Sequence, residues 1–320
     1  LNLDSEEEGT IYIGCAGGKN TEGEFTFKPE KTPDGINYEI KVAGLQGGHS
    51  GLEIQQGRGN AIKILVRLLS HATEKHALSL GKIEGGNKHN AIPREAFAIV
   101  TIPKDKDKEF TECVAKFNTM VKEELATVEP NLLVSIEPFA APANVMDKES
   151  QVRILNALYA MPHGVIKMSA DIPELVETST NLAVVITEGN TVKVVTSQRS
   201  SVASEIEDAT NKISAVFKLG GAKITYGDGY PGWKPDVNSE ILGVVKATYK
   251  QLYNREPEIK AIHAGLECGI IGEKYPGMDM VSFGPTMFGV HSPDEKLKID
   301  TVALFYDQLT HILSNIPSKN

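Results

Sequence analysis

The sequence has little cysteine: Cys15, Cys113 and Cys268 are the only three, with no CxxC spacing. That argues against a disulfide framework and for a reducing compartment, so a cytoplasmic location is expected. No apolar run approaches the roughly 18 residues that a membrane-spanning helix needs, so no membrane partner is expected. Long blocks of one charge sign are also missing, and 33 basic against 42 acidic residues give a net charge of -9. The phosphate-driven part of nucleic-acid binding therefore has no global support, and nucleic acid is not an expected partner. Low-complexity segments and short tandem repeats are absent. So are the signatures that fit in a single stretch: there is no P-loop, GxGxxG, HExxH or GxSxG, and the glycine-bearing Gly51 to Gly59 lacks the lysine and Ser/Thr pair of a phosphate cradle. Any chemistry must be assembled from distant segments.

What is present is a globular balance, 41% hydrophobic and 23% charged over 320 residues, with room for two domains. Ile36, Tyr38, Ile40 and Val42 alternate with polar residues as a strand does, and Ile62, Leu65, Val66 and Leu69 follow at helical spacing within Arg58 to Lys75. Strand-like Ala77 to Ile83 and Ala96 to Ile102, a helix carrying Phe110, Cys113, Val114, Phe117 and Val121, and strand-like Leu132 to Ile136 complete a β-α-β-β-α-β order. That order is the split βαβ, or ferredoxin-like, arrangement. A weaker echo follows, with helices near Glu149 to Ala160 and Ser201 to Phe217, and strands at Asn181 to Thr187, Thr191 to Thr196 and Ala222 to Tyr226. Beyond the turn-rich Tyr226 to Pro235, helices alternate with strands near Glu258 to Ile262 and Met278 to Phe283. With candidate strands at Leu1 to Asp4 and Thr10 to Ile13, this end reads as part of an open α/β sheet. The expected architecture is an α/β domain (1–20 and 227–320) interrupted by an inserted α+β domain of two ferredoxin-like lobes (21–226). The chain begins at Leu1 without a methionine, in what reads as a strand end, and the first half of the α/β domain is expected to lie upstream.

Several segments could carry chemistry. Asp4 stands at an apparent strand end, where open α/β sheets place ligands, and a carboxylate there suits a metal; a solvated acidic turn is the plainer reading. His291, after a strand and a glycine-rich loop, is a second candidate ligand, though loop histidines are commonly surface residues. His49 in Gly47-Gly-His-Ser-Gly51 sits where glycines let the backbone approach another surface, and a histidine so presented can donate to an oxyanion. Arg199 ends a strand and offers a fork for a carboxylate, while Asn90 fits ordinary turn chemistry as well as a substrate contact. His263 and Glu267, in His263-Ala-Gly-Leu-Glu267, flank a strand-to-helix turn. Cys113 reads as core, and His71, His76 and His311 receive no role.

Taken together, Leu1-Asn-Leu-Asp-Ser-Glu-Glu-Glu-Gly9, Gly14-Cys-Ala-Gly-Gly18, Gly47-Gly-His-Ser-Gly51, Asn90-Ala-Ile-Pro93, His263-Ala-Gly-Leu-Glu-Cys-Gly269 and His291-Ser-Pro-Asp-Glu295 resemble the co-catalytic zinc peptidases, and within them the aminoacyl-histidine dipeptidases. The resemblance covers the whole chain and only the C-terminal two-thirds of such an enzyme. It implies a cytoplasmic hydrolase of Xaa-His dipeptides with two zinc ions, replaceable by cobalt or manganese, and a homodimer formed through the inserted lid domain. Asp4 and His291 would be metal ligands, and His49 would stabilise the tetrahedral intermediate in the partner subunit's site. Asn90, Arg199 and Gly265 would hold the substrate, Arg199 by its C-terminal carboxylate, with Glu267 and His263 lining the same mouth. The family's remaining ligands and its general base would precede Leu1, so this chain alone is not expected to catalyse. A related aminoacylase or carboxypeptidase, and a non-catalytic dimerisation or peptide-binding module, are the alternatives.

Overall fold

The computed structural model describes residues 1–290 and 293–316. In chain order its main strands are β1 (Thr10–Cys15), β2 (Gly17–Thr26), β3 (Ile36–Ala43), β4 (Ser79–Gly85), β5 (Ala96–Ile102), β6 (Leu133–Pro138), β7 (Val176–Glu188), β8 (Thr191–Ser200), β9 (Lys223–Tyr226) and β10 (Glu258–Ile262). The helices are α1 (Ala61–Lys75), α2 (Asp107–Glu124), α3 (Lys148–Ala160), α4 (Ala203–Leu219), α5 (Glu240–Tyr253), α6 (Glu267–Lys274) and α7 (Asp300–Asn315).

Strands β3, β4, β5 and β6 with α1 and α2 form the first lobe in the order β6-β3-β5-β4, all antiparallel. Tyr38, Ile40 and Val42 turn inward from β3 at every second position, and α1 buries Ile62, Leu65, Val66 and Leu69 on one stripe. Asn60 caps α1, its side chain accepting from the backbone N–H groups of Ile62 and Lys63. The second lobe repeats the topology with β2, α3, β7, β8, α4 and β9 in the order β9-β2-β8-β7. Its first strand precedes the first lobe in the chain, so the whole first lobe is inserted between β2 and α3. The lobes join edge to edge where β4 meets β7, Gly85 opposite Val185 and Glu84 opposite Ile186, and Gly164–Met168 adds a ninth strand beside β7. One apolar cluster runs through both lobes, from Phe25 and Phe217 to Phe110 and Val134.

The remainder builds on β1, which pairs in parallel with β10 (Thr10 opposite Glu258, Cys15 opposite Ile262). Ile11, Ile13, Leu242, Val245, Val281, Phe283 and Ile312 form its core. The strands expected at Leu1 to Asp4 and Met278 to Phe283 are reduced to single bridges: Ser282 pairs with Asn2 on one side and with Tyr12 on the other. Val281 and Phe283 are buried, so the apolar pattern behind the expectation reflects packing without a ladder.

Strand β2 shows why the second lobe looked incomplete in the sequence. Its buried positions include Thr21, Gly23 and Phe25, and the backbone at Gly23 lies so close to the Phe217 ring that a Cβ there would stand 2.7 Å from Cζ and nearer still to two other ring atoms. Glycine at an inward position carries no hydrophobic signal, so the alternation is hidden. Gly23→Val is expected to overpack this contact and cost about 1–3 kcal/mol, read as a lower urea midpoint with an unchanged slope.

Candidate active site

The loop at Gly47 and Gly48 turns through φ of +68° and +138°, conformations open to glycine, and delivers His49 onto a two-residue ladder with Ala91–Ile92. Glu53 fixes the loop from below: its carboxylate accepts the His49 backbone N–H at 2.7 Å and pairs with Arg58 at 2.8 Å. The His49 ring is oriented by its own chain, since Nδ1 accepts the backbone N–H groups of Gly51 (3.2 Å) and Leu52 (3.0 Å). Two donors at Nδ1 put the ring proton on Nε2. Burial and then the Arg199 charge lower the His49 pKa, with Glu53 opposing them, so the imidazole is held neutral, and its Nε2–H has no hydrogen-bond partner among the described residues.

Arg199 comes from β8, where register sets it opposite Ser179 of β7 and Gly18 of β2. Residues directly opposite share a face, so one row of the sheet reads Gly18, Arg199, Ser179. Tyr230 and His263 cover that row. Tyr230 exchanges two backbone hydrogen bonds with Gly18 and accepts from Arg199 Nη1 at 2.7 Å, while His263 Nε2 stands 2.8 Å from Ser179 Oγ. Arg199 and His263 are each 6% exposed, and Arg199 Nε has no hydrogen-bond partner among the described residues. Burial first, then Arg199 and His49, push His263 down to a pKa of about 3.

Gly51 is where these pieces meet. A Cβ on it would lie 3.1 Å from His49 Cε1 and 3.3 Å from Arg199 Cδ, with the His263 carbonyl oxygen closer still. Loop 47–51 of the first lobe, the end of β8 in the second and the turn after β10 thus converge within one chain. The His49 ring stands near Arg199 and His263.

The other expected residues are distributed around this cluster. Asn90 is exposed, its carbonyl accepts from the Ser50 backbone at 2.9 Å, and it lines the same groove as His49. Gly265 lies against the Tyr230 ring, a Cβ there meeting Cε2 at 2.9 Å. Glu267 opens α6, exposed, and accepts from Asn2 Nδ2 at 3.3 Å, which ties it to the N-terminal segment bearing Asp4. Asp4 is exposed, and no hydrogen bond or ion pair among the described residues engages its carboxylate, so a hard oxygen donor is free for a cation there. His291 lies outside the described residues. Sequence reasoning missed Tyr230 and Ser179. Tyr230 lay unremarked in a turn-rich stretch, whereas Thr178, Ser179, Thr180 and Asn181 are all at most 1% exposed, a polar run whose burial only the fold reveals. All three cysteines are free, as their spacing implied. Among the described residues no helix is long and apolar enough to cross a membrane.

Residues 40–129, from β3 past α2, match a peptidase dimerisation domain of the M20 type. The whole chain is 41% identical to the cytosol non-specific dipeptidase of Escherichia coli (strain K12), covering 66% of that protein. It superposes on the crystal structure of an aminoacylhistidine dipeptidase from Vibrio alginolyticus with a TM-score of 0.96 and 43% identity, covering 100% of this chain and 66% of that one. The chain therefore spans just under two thirds of the length of these relatives.

The two depressed histidines couple folding to pH. The unfolded chain takes up their protons below an ordinary value of 6.5, and the folded state resists doing so until about 3 at His263. Stability is therefore whole above about pH 6.5 and declines as pH falls toward 3. His263→Asn is expected to flatten that decline, measured as urea midpoints at successive pH values; a slope equal to wild type would reject the assignment.

Proposed function

The chain belongs to the M20 peptidase family, and on that premise we propose that the protein it forms part of is a cytoplasmic, metal-dependent dipeptidase, homodimeric through its dimerisation domain and acting on Xaa-His dipeptides. The observation that carries this reading is His49: a neutral imidazole with Nε2–H free, beside a buried arginine. A fixed neutral donor suits a developing oxyanion, because it needs no reorganisation as charge appears. Arg199, steadied by Tyr230, takes the substrate carboxylate, and Asn90 and the Gly265 backbone complete the holding contacts, with His263 and Glu267 lining the mouth. Asp4 and His291 would supply ligands to two zinc ions, with cobalt or manganese as substitutes; such a centre would supply an activated water and polarisation of the scissile carbonyl.

In this reading His49 reaches the partner subunit's site and stabilises the tetrahedral intermediate there, while Arg199 holds the substrate. The Escherichia coli relative's cytosolic designation supports the location, and the Vibrio alginolyticus relative's title supports a histidine leaving group.

The test uses the complete protein supplied with zinc. Release of histidine from Xaa-His dipeptides, with little turnover of N-acyl amino acids, is expected; the opposite preference would make it an aminoacylase, and no turnover of either would leave a binding module. His49→Ala is expected to lower kcat by about 10²–10³. Arg199→Ala is expected to act mainly on KM, by about ten- to a hundredfold, the worth of a hydrogen bond to a charged group. Mixed dimers of H49A and R199A protomers are expected to regain part of the activity, since one of the two sites then combines an intact Arg199 with the partner's intact His49; no recovery would place His49 in its own chain's site.

A further inference from the structure

On the helical side of the first lobe, α1 and α2 flank an open groove of about 770 Å³ whose walls include Arg67, His71, His76, Glu109, Cys113 and Phe117. Three of these converge. His71 lies in the last turns of α1, His76 is the residue that ends it, and Cys113 faces them from α2; one ligand atom from each lies within 4.8 Å of the others. Cys113, expected in the core, is only half-buried, because α2 turns Phe110, Val114, Phe117 and Val121 to the sheet and leaves Cys113 on the flank.

His76 supplies the independent sign of a ligand. It is 3% exposed, yet its Nδ1 is buried with no hydrogen-bond partner among the described residues. The nearest acidic oxygen, Glu109 Oε1, is 3.9 Å away, beyond hydrogen-bond reach. The ring is not free to seek a partner elsewhere, since it packs edge-on against Phe110 and His71, with centroids 5.9 and 6.0 Å apart. Buried polar atoms in native folds are ordinarily satisfied, so an orphan beside a second imidazole and a thiol calls for an explanation.

We propose that His71, His76 and Cys113 form a binding site for a divalent transition-metal cation, zinc foremost. Two imidazoles and a thiolate are borderline-to-soft donors, which select zinc over magnesium or calcium. Bonds of about 2.0–2.3 Å around a tetrahedral ion set ligand atoms roughly 3.3–3.8 Å apart, so separations that all lie within 4.8 Å need close by no more than about 1–1.5 Å. His71, exposed at the groove's rim, can make that movement by side-chain rotation, while the packed His76 stays fixed. Burial lowers the His76 pKa and keeps its imidazole in the neutral form that binds metal. The Cys113 thiol gives up its proton to solvent as the metal binds. The fourth position is open to water or to the Glu109 carboxylate. The bound ion would tie the C-terminal end of α1 to α2 within the first lobe. This site is independent of the peptidase reading.

The complete protein tests it, as wild type, C113S and H71N, each equilibrated with zinc, desalted and assayed for metal per chain. Wild type is expected to retain one equivalent more than either variant. The cobalt-loaded wild type is expected to show thiolate-to-metal charge transfer that C113S lacks, and zinc is expected to raise the unfolding temperature of wild type more than that of H71N. H71N alters an exposed side chain and carries the test should C113S fold poorly. Equal metal content in wild type and H71N, or a cobalt spectrum indifferent to C113S, would overturn the site.

Discussion

Two residue pairs between β4 and β7 hold the molecule's halves in the register on which its site depends. They do not act alone. Thr187 Oγ1 accepts from the Ile83 backbone N–H and donates to the Ile83 carbonyl, each at 2.9 Å, and the amides of Asn60 and Asn181 donate across the seam to Leu182 and Ala91. A short ladder would be weak in water, but this one lies over an apolar cluster continuous through both lobes. Slippage by one residue would turn every inward side chain of one lobe outward, so burial enforces the register. His49, which the first lobe carries, thereby stands next to Arg199, which the second carries.

Within that frame, electrostatics follow from burial. Burial first, and the nearby Arg199 charge second, hold the His49 and His263 imidazoles in the neutral form. Backbone N–H groups directed at His49 Nδ1 reinforce the choice at one ring, and Ser179 orients the other. A buried guanidinium beside neutral imidazole donors suits recognition of an anion.

Much of this was legible beforehand where periodicity is loud. Strand β3, helices α1 and α2 and strand β10 were read within a few residues because their apolar positions recur at two or at 3.6. Strand β2 was not read as the first strand of the second lobe, because its inward positions include glycine and threonine. The strand expected at Met278 to Phe283 has the right apolar content and makes only a bridge, since pairing depends on neighbours that hydrophobicity does not name. The place of Cys113 among apolar residues points to the core, yet a helix stripe narrower than the sequence pattern leaves it facing a groove. His49, Arg199 and His263 were each individually plausible and individually ambiguous.

By itself the sequence determined the elements, the doubled ferredoxin-like order and the residue types able to bind a carboxylate or a cation, because these are local properties of spacing and chemistry. It also carried the family likeness through motifs in order. Only the tertiary structure decided that the first lobe interrupts the second, that His49 meets Arg199 in the same chain, and that His71, His76 and Cys113 share one groove. Those facts depend on which strand edges pair and which side chains lose water, and both are settled by contacts between residues tens to more than a hundred positions apart.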